Sequence, residues 1–363
     1  PLTFSIWLLV GLPANPLILR VVNLLLHVLS ALLCGMLAGR FSAEDRRPVA
    51  TIAVTALFAA YPFAYQAIPW VSGMFYPLVT ALCLGALLAY LKAREMASWR
   101  WLALSLLLAG MAPFAHENGV LASAFVVLAE AAHWLDTRAE RLRLSWWPLL
   151  HLAMSAAFLL LWFSLRGGGV STLNLSLTGL LENLTILLTG LIFPLAPLVQ
   201  AGLPTAPGVW LLVAVILIAF TVLLWKRPAV LVIGLGWFAA GIVPVLVTMR
   251  VEWLIDAPRF LYLSGAGAAL LWGALLAEAI ALLPRARWRA GIAAATLALV
   301  LAPGVIFIWQ GIEWHRLAAA PLRQAVALAG RHSESALFVN LPGRVGPAGP
   351  GLYPYFDSGA FPL

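Results

Sequence analysis

Ionisable side chains are scarce in this chain, and most fall at the ends of long apolar runs. The stretch "MAPFAHENGVLASAF", Met111 to Phe125, sets His116, Glu117 and Asn118 between two such runs. A carboxylate beside an imidazole can take a proton from a hydroxyl. An ionisable group near a membrane interior is costly, so a functional role is the first reading. The competing reading is local. Asn118 caps the next helix, and Glu117 faces its positive N-terminal end.

Two further groups invite the same question. Arg20, Asn23 and His27 are spaced i, i+3 and i+7, which places them on one helical stripe. They either face a site or satisfy one another between helices. The segment "MRVEWLIDAPRFLY" gathers Arg250, Glu252, Asp256 and Arg259. A guanidinium presents a fork of donors that matches a phosphate, so Arg259 and Arg250 are candidates to hold one. The alternative is a loop that meets solvent or lipid headgroups. Arg166 closes another apolar run, and Glu182 and Asn183 lie in a later one. Asn174 and Asn183 each begin a glycosylation sequon, a short pattern that often arises by chance. Metal-ligand spacing, a phosphate-binding loop and a dinucleotide fingerprint are all lacking, and "GAGAAL" near Gly265 falls inside an apolar run.

The elements that carry these residues follow from composition. The chain is 63% apolar and 10% charged, with a mean hydropathy of +0.98. Soluble domains carry about 25% charged residues. Runs of about 20 apolar residues recur, so the expected fold is an all-α, multi-pass integral membrane protein. The net charge of +8 does not point to nucleic acid, because the arginines are spread over short loops. Cys34 and Cys83 lie inside apolar runs and frame no disulfide. Lysine occurs only at 92 and 226, whereas Arg, Ala and Trp are common, a bias of GC-rich bacterial genomes.

Ten spans are expected, near 18–39, 48–66, 71–91, 100–116, 119–135, 146–165, 208–225, 228–249, 260–282 and 290–310. Basic residues mark alternate connections: Arg40, Arg46 and Arg47; Lys92, Arg94 and Arg100; Arg138, Arg141 and Arg143; Lys226 and Arg227; Arg285, Arg287 and Arg289. The positive-inside rule makes these the cytoplasmic loops of an inner-membrane protein and places the C-terminus outside. Residues 176–200 are long enough to cross, yet both neighbours put their ends outside. They are expected to form a re-entrant or interfacial helix on the outer face. Residues 1–17 read as an outer amphipathic segment broken by Pro13 and Pro16. Residues 18–310 form the transmembrane domain and 311–363 an extracytoplasmic tail. That tail is expected to hold an amphipathic helix at 318–331 and a strand at 335–342.

Several segments occur together in a recognisable order: "PLTFSIW", "VVNLLLHVLSALL", "ALFAAYPFAYQAIPWVSG", "MAPFAHENGVL" and "APRFLYLSGAGAALL". Over roughly residues 1–280 the chain resembles bacterial relatives of the transmembrane and tetratricopeptide O-mannosyltransferases, in the GT-C glycosyltransferase superfamily. Asn23 and His27 match the Asn and His of that pattern, Trp70, Ser72 and Gly73 its "WISG", and Arg259 and Tyr262 its "RYLYLP". His116-Glu117 stands where the family has "KE". The resemblance implies a sugar donor on a polyprenyl phosphate and transfer on the outer face. It also implies an acidic residue in the first outer loop, as base or as activator with a divalent cation. That acid, with one more span, is expected upstream of Pro1, leaving Glu117 and His116 in support. The family's polar residues around "WISG" are replaced here by Tyr61, Gln66 and Met74-Phe75-Tyr76.

Three functions compete. The first is a GT-C-like membrane glycosyltransferase acting on a polyprenyl-phosphate sugar or another lipid. The second is an inactive relative, kept as a structural subunit of a membrane-protein complex, which the apolar replacements favour. The third, a transporter or lipid flippase, predicts internal repeats, and no convincing repeat is seen.

Overall fold

A computed structural model describes residues 2–11, 16–136, 145–165, 176–195, 206–283, 286–329, 344–345 and 361–362. These are helical throughout, apart from turns, loops and two dipeptide strands, Arg344–Val345 and Phe361–Pro362, which pair antiparallel. Among the described residues, eight helices are long and apolar enough to cross a membrane by length and composition. Arg166 and residues 335–342 lie outside the described residues.

The helices are α1 (Leu2–Gly11), α2 (Pro16–Arg40), α3 (Arg47–Ala59), α4 (Phe75–Met96), α5 (Trp99–Ala115) and α6 (Ala122–Asp136). Then come α7 (Trp147–Leu165), α8 (Leu177–Leu188), α9 (Ala206–Leu223), α10 (Pro228–Thr248), α11 (Val251–Asp256), α12 (Tyr262–Ala281) and α13 (Ala286–Ala329). A helix lies at each of the ten expected spans, but α3 and α5 are short, and α6 reaches spanning length only with the 3-10 turn Glu117–Leu121 that leads into it. Pro62 lacks an N–H and opens a 3-10 turn, so α3 stops at Ala59. Its 13 residues reach about 20 Å, against a hydrocarbon core of about 30 Å. Helix α5 has 17 residues and contains Pro113. Helix α8, with 12 residues, is too short to cross.

The two ends of the chain differ from expectation. Helix α1 is apolar around its circumference rather than amphipathic, with Thr3 and Ser5 its polar residues. Thr3 donates a hydrogen bond to the Ala115 carbonyl at 3.1 Å and docks α1 on the end of α5. Helix α13 does not stop near Gln310. It runs on to Ala329, 44 residues in all, through Pro303 and Pro321.

Helices α4 and α12 form the centre. Their most apolar stretches are 83% and 78% buried inside the protein, against 17% for α7 and 11% for the last helix. Large apolar side chains on α2, α7, α9 and α13 are exposed, as lipid-facing positions require. Small residues let α12 approach its neighbours. A Cβ on Gly265 would lie 2.5 Å from the Tyr61 ring, and one on Gly267 2.6 Å from the Phe238 nitrogen. The "GAGAAL" glycines are therefore packing positions. Phe125 stacks on Trp237 with centroids 3.6 Å apart, joining α6 to α10. The Trp237 indole donates to the Leu263 carbonyl at 2.8 Å, joining α10 to α12.

One end of the bundle is fastened by charge. Glu278 of α12 accepts from Arg46 and from Arg227, and Arg40 pairs with Glu95. Arg94 forks onto the buried Glu130 at 2.9 and 3.0 Å, and Tyr90 and the Ser145 amide donate to the same carboxylate. Burying a carboxylate is tolerated only with such partners. This basic end is opposite the end that holds Asn23, His116 and Arg259.

Candidate functional site

The first polar layer below the other end is a set of internal bonds. Asn23, on α2, donates to the carbonyls of Ile68 and Trp70 at 3.2 and 3.0 Å. It thereby pins the irregular chain between α3 and α4. The His27 Nε2 lies 3.0 Å from the Ala59 carbonyl, which can only accept. The proton therefore sits on Nε2, and Nδ1 accepts from the Tyr262 hydroxyl at 2.7 Å. Asn23, His27 and Tyr262 are buried and serve the fold, joining α2, α3 and α12. Arg20 does not share their surroundings. Its side chain is exposed.

Above that layer sits Arg259, in the 3-10 turn Pro258–Leu261 that leads into α12. Its guanidinium donates to the Gln66 amide oxygen at 3.1 Å. It lies 4.8 Å from the centroid of the Trp70 ring and 5.3 Å from that of Phe260. The Gln66 amide nitrogen donates to the Asp256 carbonyl at 3.0 Å. One amide thus aligns the α11–α12 turn and the cation together. Arg259 and Glu117 also act electrostatically on the Tyr76 hydroxyl.

His116 and Glu117 complete the cluster. The His116 ring stacks on Phe75 at 4.9 Å and tilts against Tyr76 at 5.4 Å. Its Nδ1 accepts from the Asn118 backbone N–H at 3.2 Å. Neutral imidazole then carries its proton on Nε2, which is 3.8 Å from the Glu117 carboxylate. Burial holds this imidazole below its usual range, and Glu117 opposes that shift. The Glu117 side chain is 63% exposed, so its carboxylate is open to an incoming group. The local reading of this stretch needs correction, because the His116 side chain, not Asn118, caps the following turn. Gly119 is required there. A Cβ would lie 2.1 Å from the Ala112 carbonyl carbon.

Other expected residues stand apart. Arg250 is exposed at the start of α11 and has no described contact with Arg259. Glu182 is exposed on α8. Its neighbour Asn183 is buried and donates to the carbonyls of Leu246 and Met249, tying α8 to the end of α10. That amide is committed to the fold, so its sequon is accidental. Asp256 contributes its backbone carbonyl to Gln66. Among the described residues no three His, Cys, Asp or Glu side chains converge on a possible cation.

Two members of the cluster were read differently in the sequence. Gln66 and Tyr76 counted there as losses of polar chemistry. In the structure the Gln66 amide holds Arg259, and the Tyr76 hydroxyl faces it. No local pattern marks them, because Arg259 reaches Gln66 across 193 residues of chain. No family model, curated protein or solved structure matches this chain.

Proposed function

We propose that the protein is a GT-C-like membrane glycosyltransferase of the bacterial inner membrane, transferring a sugar from a polyprenyl-phosphate donor on the outer face. The observation that carries this reading is a stacked, hydrogen-bonded Arg259 and an exposed carboxylate, Glu117, at the same end of an apolar bundle. In the reaction, an acceptor hydroxyl gives its proton to a carboxylate as its oxygen attacks the anomeric carbon. The bond from that carbon to the donor phosphate breaks, and the phosphate departs with the electron pair. Arg259 stabilises the charge that grows there. Glu117, with the His116 Nε2 at 3.8 Å, supports that carboxylate rather than standing in for it.

The test is transfer in proteoliposomes carrying polyprenyl-phosphate sugars. Wild-type turnover with loss in Arg259→Ala supports the reading. Turnover unchanged by Arg259→Ala overturns the phosphate role. A second reading, a structural subunit without catalysis, draws on the single carboxylate in the cluster. A stable multi-protein complex after mild extraction, with no transfer in its reconstituted form, would favour it.

A further inference from the structure

The end of the bundle that holds Arg259 carries an exposed ring to which the transfer reading gives no part. Trp70 is 43% exposed, yet its backbone is fastened. Its carbonyl accepts from the Asn23 side chain at 3.0 Å and from the Gly73 N–H at 2.9 Å. Gly73 comes so close to Ala67 that a Cβ there would lie 2.5 Å from the Ala67 carbonyl oxygen. The chain from 67 to 73 is therefore a closed, anchored turn, and the indole stands out from it. A tryptophan that only marks the bilayer interface needs no such fastening. Trp253 is the contrast. It is 65% exposed, and among the described residues its side chain has no ring, cation or hydrogen-bond partner.

Arg259 decides what lies next to the ring. Its guanidinium is 4.8 Å from the Trp70 ring centre and 5.3 Å from that of Phe260, and one donor goes to Gln66. A guanidinium donates in its own plane, so a phosphate meets it at an edge. Whatever the phosphate carries is then set down beside Arg259, not over it. The guanidinium is smaller than an indole, and the exposed share of Trp70 is surface that it leaves uncovered. A sugar joined to the phosphate through its anomeric oxygen begins one bridging atom away, a reach of the same order as that from Arg259 to the ring centre. The indole N–H adds a donor. Trp210, Trp237 and Trp272 direct theirs to acceptors inside the protein, whereas that of Trp70 has none among the described residues.

We propose that Trp70 is the platform for the donor's sugar ring, and that it selects a hexopyranose over a furanose. The proposal rests on Arg259 as the phosphate contact. A pyranose chair with equatorial substituents presents a flat face of axial C–H groups, whose slightly positive hydrogens suit the negative face of an indole. A puckered furanose has no such face. The sugar hydroxyls stay at the rim, where the indole N–H can donate to one of them.

The test is equilibrium binding to the full chain in detergent micelles. The probes are methyl, β-glucosyl and arabinofuranosyl esters of farnesyl phosphate, three diesters of equal charge. Glucose should tighten binding about tenfold over methyl, and arabinofuranose less than about twofold. Trp70→Leu should abolish the gain from glucose, and Trp70→Tyr should keep part of it. The readout is the ratio of the glucosyl to the methyl ester. Weaker support of Arg259 alone lowers both affinities and leaves that ratio unchanged. A folded Trp70→Leu with the wild-type ratio overturns the platform, and so does equal binding of the glucosyl and arabinofuranosyl esters by wild type. Failure of the underlying reading looks different. Arg259→Ala would then bind all three esters as tightly as wild type, which overturns the phosphate contact and the platform with it.

Discussion

The guanidinium of Arg259 lies 4.8 Å from the centre of the Trp70 ring, across nearly two hundred residues of chain. Stacking on a planar ring and donating in plane to Gln66 are both properties of a guanidinium. A lysine reaches the same place with neither. Arg259→Lys should therefore behave almost as Arg259→Ala, weakening binding of a short-chain polyprenyl phosphate by about 10- to 100-fold, the equivalent of about 1.5–3 kcal/mol for hydrogen bonds to a charged group. Titration in detergent micelles checks this, and binding retained by the lysine variant would show that charge alone suffices.

Gln66 separates two effects at one atom. Gln66→Glu replaces a neutral acceptor of Arg259 with a carboxylate and removes the donor to the Asp256 carbonyl. Phosphate binding should fall because the new carboxylate competes for the cation. Gln66→Leu should retain more binding but be the less stable, by about 1–3 kcal/mol against wild type, since it leaves Arg259 without its acceptor as well as the part-buried Asp256 carbonyl without its donor. Binding and thermal melting, measured on both variants, should rank them in opposite orders.

Tyr262→Phe removes the hydroxyl that donates to His27 and leaves Nδ1 buried without a donor. A loss of about 1–3 kcal/mol is expected, with little change in affinity for phosphate lipid. An affinity drop equal to that of Arg259→Ala would mean that this inner layer touches the ligand.

Glu130 is the buried charge on which three partners depend. Glu130→Ala strands Arg94 in a poorly solvated position and should cost about 3–5 kcal/mol. The melting temperature in detergent should fall steeply. A combined Arg94→Met, Glu130→Met variant should be less damaging than Glu130→Ala, because no lone charge remains.

Helix positions were legible because a bilayer allows few alternatives: an apolar run of about 20 residues has to be helical. Lengths were less so. Pro62 signalled the end of α3, but its effect was overridden in the reading by the apolar residues beyond it. The 44-residue α13 passes through Pro303 and Pro321, where a sequence rule would stop or kink a helix. In the site, the pairing of His116 with Glu117 was visible as adjacency. The convergence of Gln66, Trp70, Tyr76 and Arg259 was not, because three separate elements meet there. The basic residues were expected in loops, but Arg40, Arg47, Lys92, Arg94 and Arg100 lie in the terminal turns of helices, because a helix runs on past the apolar stretch that defines its span. That Glu130, inside an apolar run, would collect Arg94 and Tyr90 has no local signature.

The contrast between the two ends has a mechanical consequence. At the basic end α2, α4, α6, α10 and α12 are linked through carboxylates that each bind more than one partner. At the other end the links are neutral amides on carbonyls, at Asn23, Gln66 and Asn183. Local opening concentrates where contacts are few and cheap to break. The molecule is thus built to part at its amide-linked end before its carboxylate-linked one. On the proposed function, a bulky lipid-borne sugar would enter at the end that yields first, where Arg259 and Glu117 are, while the other end stays shut.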